Sequence, residues 1–203
     1  MTTKDEARTL FEAAGALVEK EIIWHERQGA PKPGWFAQRR LRKALRMFER
    51  VVELMPESWN SMWLAGKTAQ RLGDVEKGFW WMERAYHANA EQVDVAREAS
   101  MMAMDLGRCD AAIVYAHRAT QLENNDAGLE ANLALAYLLA GKLELAQAAI
   151  GKSLALDRND AISKTIAEMV EHFQATGATP PGATRALQEY WRDVEKRRRT
   201  ECG

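Results

Sequence analysis

Apolar positions fall at helical spacing almost from the start of the chain. Ala7, Leu10, Phe11, Ala14, Leu17, Val18, Ile22 and Trp24 recur every three or four residues. This spacing predicts an amphipathic helix over 4–27, opened by a capping box of Thr3 and Glu6. Two prolines and two glycines in 28–35 make that stretch a loop. Phe36, Leu41, Ala44, Leu45, Phe48, Val51, Val52 and Met55 then mark a second helix that stops before Pro56. Its polar side is basic, with Arg39, Arg42, Lys43, Arg46 and Arg50.

From Trp59 to Asp160 the pattern repeats. Gly73, Gly107 and Gly141 stand 34 residues apart, preceded by Leu72, Leu106 and Ala140 and followed at one offset by Ala85, Ala119 and Ser153. Helices are expected on either side of each glycine, because glycine accepts the left-handed conformation that ends a helix. They fall near 57–72 and 74–89, 92–106 and 108–123, and 126–140 and 142–156. A further helix carries Ile162, Ile166, Met169, Val170 and Phe173, and 174–184 is a proline- and glycine-rich break. Leu187, Tyr190, Trp191 and Val194 mark a final amphipathic helix ending in the basic run Lys196–Arg199.

A 34-residue period with small residues in fixed columns resembles the tetratricopeptide repeat family. Ala44, Phe48, Val51 and Pro56 fit the second half of one unit. Met62, Ala65, Gly66 and Ala69 open the next, and Ala96, Ala99, Ser100, Ala103, Ala112, Ala116 and Ala119 fill the third. Leu133, Ala134, Tyr137, Ala146, Ile150 and Ser153 fill the fourth. Only Pro56 occupies the closing proline column, and Glu130 sits in a column that is usually apolar. The resemblance implies an all-α fold, an α-α superhelix of helix pairs. The expected organisation is an N-terminal helix and Pro/Gly loop (1–35), the repeat array (36–160), and C-terminal capping helices with a basic tail (161–203). The N-terminal helix is either a modified first helix or a separate cap.

Composition adds limits. The 203 residues are 47% hydrophobic and carry a formal net charge of −1, enough for a core and without a bulk charge that selects a partner. Cys109 and Cys202 form no disulfide framework or zinc spacing. The N-terminal stretch carries early acids and no signal-like apolar run, and nothing approaches a membrane span. A soluble, cytoplasmic protein is expected. His25, His87, His117 and His172 form no helical metal pair, and no phosphate loop or nucleophile elbow appears. Cys109 opens a helix, where a thiolate could be stabilised, but it lacks an identifiable base. No catalytic residue, metal or cofactor is expected.

The resemblance also implies that the first helix of each unit lines a concave groove. Its outward residues would include Trp63, Lys67 and Arg71, then Arg97, Met101 and Met104, then Asn132, Leu135 and Leu138. Trp63 and the methionines and leucines would form an apolar floor, since methionine adapts to irregular shapes. Lys67, Arg71 and Arg97 would add cationic anchors. An amphipathic helix or extended peptide of a partner protein fits that description, unless the C-terminal helices fold back into the groove. Adjacent Trp80 and Trp81 cannot both be buried on one helix face, so one of them is a candidate for self-association. A different class of function would use the basic helix 39–50 and the 196–199 tail to bind nucleic acid. Acids at Asp94, Glu98, Asp105 and Asp110 oppose that reading.

Overall fold

A computed structural model describes residues 2–22 and 32–201. Trp24, His25, the predicted helical end at 23–27 and Cys202 lie outside the described residues. The described chain forms ten α-helices in two compact units, Met1–Ala90 and Glu91–Gly203. The first unit holds α1 (Thr3–Val18), α2 (Trp35–Leu54), α3 (Trp59–Arg71) and α4 (Val75–Ala88). The second holds α5 (Val93–Asp105), α6 (Cys109–Leu122), α7 (Ala127–Leu139), α8 (Leu143–Leu156), α9 (Ala161–Thr176) and α10 (Thr184–Glu201). The fold is all-α, built from helix pairs.

Each 34-residue step reproduces one backbone turn. At Gly73, Gly107 and Gly141, φ is 89°, 70° and 71°. After the first glycine, Asp74 N–H donates to the Ala69 carbonyl, and Gly73 N–H to that of Gln70. Arg108 and Gly107 repeat this with Ala103 and Met104, and Lys142 and Gly141 with Tyr137 and Leu138. These crossed bonds satisfy the carbonyls that a helix end leaves open. The joins between pairs also repeat. Met55, Asn89, Glu123 and Asp157 follow α2, α4, α6 and α8 with φ/ψ of −137/83, −155/89, −138/92 and −138/98 degrees. By backbone, α2 therefore ends as the second helices of pairs do, and α1 packs along it in the first-helix position. Phe11 meets Phe48 edge-on at 5.9 Å between ring centres.

Two local expectations shift. Thr2, not Thr3, caps α1, in a capping box closed by Asp5, because the Asp5 carboxylate reaches both the Thr2 N–H and hydroxyl. The helix also ends at Val18, well before residue 27. Glu21 and Ile22 N–H groups both turn back to the Val18 carbonyl. Ile22 remains 4% exposed, so the apolar spacing marked burial that a turn, not a helix, provides.

Small residues set the packing. Ala44, Ala65, Ala85, Ala99 and Ala146 are fully buried, and such contacts let helix axes approach to about 8–10 Å. A Cβ on Gly66 would lie 3.0 Å from the Gly78 carbonyl oxygen, so α3 and α4 touch where only glycine fits. Glu130, the acid in an apolar column, is buried, with Lys152 Nζ 4.0 Å from its carboxylate. Asp160 caps α9 by accepting from Ser163 N–H and its hydroxyl. Those bonds, the Ser163 side chain first, hold its carboxyl below the usual carboxylate range. A depressed folded-state pKa gives stability that is present above the unfolded pKa and lost as pH falls through the folded one. As loss of an N-cap, Asp160→Ala should cost about 1 kcal/mol at pH 7. Urea titrations of both proteins should show the gap closing as pH drops below 3.8.

Candidate functional site

In the second unit the first helices of successive pairs stand side by side, α5 against α7 and α7 against α9. Their shared face is not open. Gly177, with φ 66°, ends α9, and the 177–183 linker runs back to the α5–α6 turn. There Cys109 Sγ donates to the Gly182 carbonyl at 3.2 Å, and a Cβ on Gly107 would lie 3.2 Å from the same oxygen. Thr184 hydrogen-bonds the Asp105 side chain at the end of α5, and α10 packs on α5. Further along α10, Tyr190 stacks on Phe173 of α9 at 5.1 Å. The Tyr190 hydroxyl and His172 Nε2 share a 3.0 Å hydrogen bond, and Trp191 meets the His172 ring edge-on. Helix α10 thus reaches both α5 and α9, the helices flanking α7. Leu187, Trp191 and Val194, spaced i, i+4 and i+7, are 2%, 4% and 9% exposed. An amphipathic helix of this chain thus packs on two first helices of its own unit, α5 and α9.

The residues predicted to line a groove divide accordingly. In the second unit Met101, Asn132 and Leu135 are half-buried. Met104 and Leu138, read as outward floor, belong to the core at 2% and 0% exposure. The cationic anchors are engaged within the protein. Arg97 pairs with Asp94 at 2.7 Å and approaches Glu98. In the first unit Arg71 Nε donates to the Glu21 carbonyl at 3.0 Å, which ties the turn after α1 to α3. Lys67 is buried and Trp63 half-buried.

Other features were partly hidden from the sequence. Trp81 is buried and Trp80 exposed. Arg84 lies over both rings, 4.7 and 4.8 Å from their centres. In the first unit a cavity of about 790 Å³ opens between the start of α1, the end of α2 and the start of α3, lined by Phe11, Val51, Met55 and Trp59. Cys109 does not gain thiolate character from its helix start: burial first, and Asp110 second, push its pKa up. Among the described residues no group of three or more His, Cys, Asp or Glu side chains could hold a metal ion. No described helix is long and apolar enough to cross a membrane.

No family model matches the chain, and no curated protein matches it in sequence. Solved structures do. YrrB, described as a tetratricopeptide repeat protein with an unusual peptide-binding site, superposes with a TM-score of 0.62 at 19% identity, over 68% of this chain and 71% of that one. MamA from Desulfovibrio magneticus, residues 41 to the end, gives 0.69 at 13% identity over the whole of both chains. A tetratricopeptide repeat protein from Parabacteroides merdae gives 0.68 at 11% identity, over 84% of this chain and 61% of that one.

Proposed function

We propose that this chain, whose fold is of the tetratricopeptide type, is a protein-interaction module that receives an amphipathic helix on its first-helix face. The observation that carries this reading is α10. The face formed with α5 and α9 already holds a helix by a Leu187–Trp191–Val194 stripe, so a partner helix of the same pattern has a matching surface. YrrB's described peptide-binding site supports the reading by likeness of fold. The engaged Arg71 and Arg97 favour an apolar stripe over an acidic tail as the recognised feature. Half-buried Met101, Asn132 and Leu135 are the proposed contacts.

The test uses the full chain carrying Leu187→Ser and Trp191→Ser, titrated with a fluorescent peptide of residues 184–201. Saturable binding is expected, and adding Met101→Asp and Leu135→Asp should abolish it. A peptide that fails to bind the released chain overturns the proposal.

We also propose Trp80 as a self-association contact, since a half-exposed indole is common at interfaces. Light scattering should show the molar mass of a self-associated form falling to that of a monomer in Trp80→Ala. Equal masses for the two proteins remove that role.

A further inference from the structure

The exposed face of α2 combines two features that its packing role does not require. The buried side of this helix is Leu41, Ala44, Leu45, Phe48, Val51 and Val52. On the opposite side Trp35 and Phe36 are 63% and 73% exposed, with ring centres 4.7 Å apart. At about 100° per residue, Trp35, Phe36, Arg39, Arg42, Lys43 and Arg46 fall within an arc of roughly 120°, centred opposite the core. All six are exposed. The guanidinium of Arg39 lies 6.0 Å from the Trp35 ring centre, and Arg42 donates to Gln38.

Charge along α2 is unevenly neutralised. Arg40, to one side, pairs with Glu21. Arg50, nearer the C-terminal end, pairs with Glu53 and Glu6, and Glu49 pairs with Lys77. Among the described residues, Arg39, Arg42, Lys43 and Arg46 meet no carboxylate. A chain with a formal net charge of −1 therefore carries, within two turns of one helix face and beside two wet aromatic rings, four cations that no described carboxylate meets.

We infer that this face is a docking surface for an anionic lipid bilayer. Cations close to such a surface are attracted by its negative potential. Tryptophan and phenylalanine gain by entering the headgroup–acyl boundary, where one side is apolar and the other wet. Nucleic acid would satisfy the cations equally well. It offers the rings only stacking on unpaired bases, whereas the boundary of an anionic bilayer takes up both the cations and the rings. The joint presence of cations and exposed rings thus favours lipid. This inference is independent of the helix-receptor reading, which concerns other helices.

The experiment is co-sedimentation of the full chain with vesicles of phosphatidylcholine alone, or with 40% phosphatidylglycerol, at about 0.1 M salt. Binding is expected only to the anionic vesicles and should weaken as salt rises, because exposed charges are screened over about 10 Å at 0.1 M. Arg42→Glu with Arg46→Glu should lower the partition constant by about thirty-fold or more. Trp35→Ser with Phe36→Ser should lower it while leaving the salt dependence in place. Lys164→Glu, an exposed cation on α9, should leave it unchanged. All substituted positions are exposed, and circular dichroism of each variant checks that its helices remain. The inference is overturned if anionic vesicles do not bind, if charge reversal on α2 leaves binding intact, or if the same variants lose binding to a short oligonucleotide while vesicles are ignored.

Discussion

Trp191→Ala should detach α10 from the face it covers. The indole is 4% exposed and sits against the His172 ring. Truncating a buried tryptophan costs about 3–5 kcal/mol. The contacts left to α10 are Leu187, Val194 and the Tyr190 stack on Phe173, fewer than join the helices of a pair. The loss should therefore appear as local opening, not as global collapse. Amide exchange across residues 187–197 should accelerate roughly a hundred-fold or more, while exchange within α7 changes much less. Helix content by circular dichroism should fall modestly, since an isolated helix of this length is marginal in water. Unchanged α10 exchange would mean that the linker contacts, and not the apolar stripe, hold the helix in place.

Phe48→Ala should produce the largest effect in the first unit. Phe48 is 0% exposed and its ring meets Phe11, so it joins α1 to α2. The lost burial and the cavity left behind should cost about 3–5 kcal/mol. Denaturant unfolding followed by circular dichroism would read this as a lower midpoint with a similar slope. A cost below about 1 kcal/mol would show that α1 contributes little to the unit.

The repeat was legible because glycine is chemically unique at a left-handed turn. Gly73, Gly107 and Gly141 announce themselves, and the structure gives each the same crossed hydrogen bonds. The backbone conformation at the joins was not legible. Met55, Asn89, Glu123 and Asp157 share a backbone conformation that no common side chain marks; the place of α2 as the second helix of a pair was readable from Ala44, Phe48, Val51 and Pro56 instead, and its final dihedrals agree with it. The same limit applies to the site. The Asp94–Arg97 pair could have been suspected, three residues apart on one helix. The Arg71 bond could not, because its partner is a backbone carbonyl 50 positions away. Helix α10 was readable as amphipathic from Leu187, Trp191 and Val194. Its destination depends on non-local contacts of the linker, Gly182 against Cys109 and Gly107, which local pattern does not encode. Met104 and Leu138 looked outward for the related reason that helical periodicity ranks faces without saying how many of them become covered.

Native-state hydrogen exchange of the unaltered chain tests most directly whether α10 is an exchangeable occupant of a helix-binding face. If it is, the amides of Leu187 to Val194 open with a distinctly smaller free energy than those of α5 and α7, and an excess of the 184–201 peptide accelerates their exchange further. If α10 exchanges only in step with α7, through unfolding of the whole unit and without response to the peptide, then α10 is a permanent part of the core and the face receives no partner.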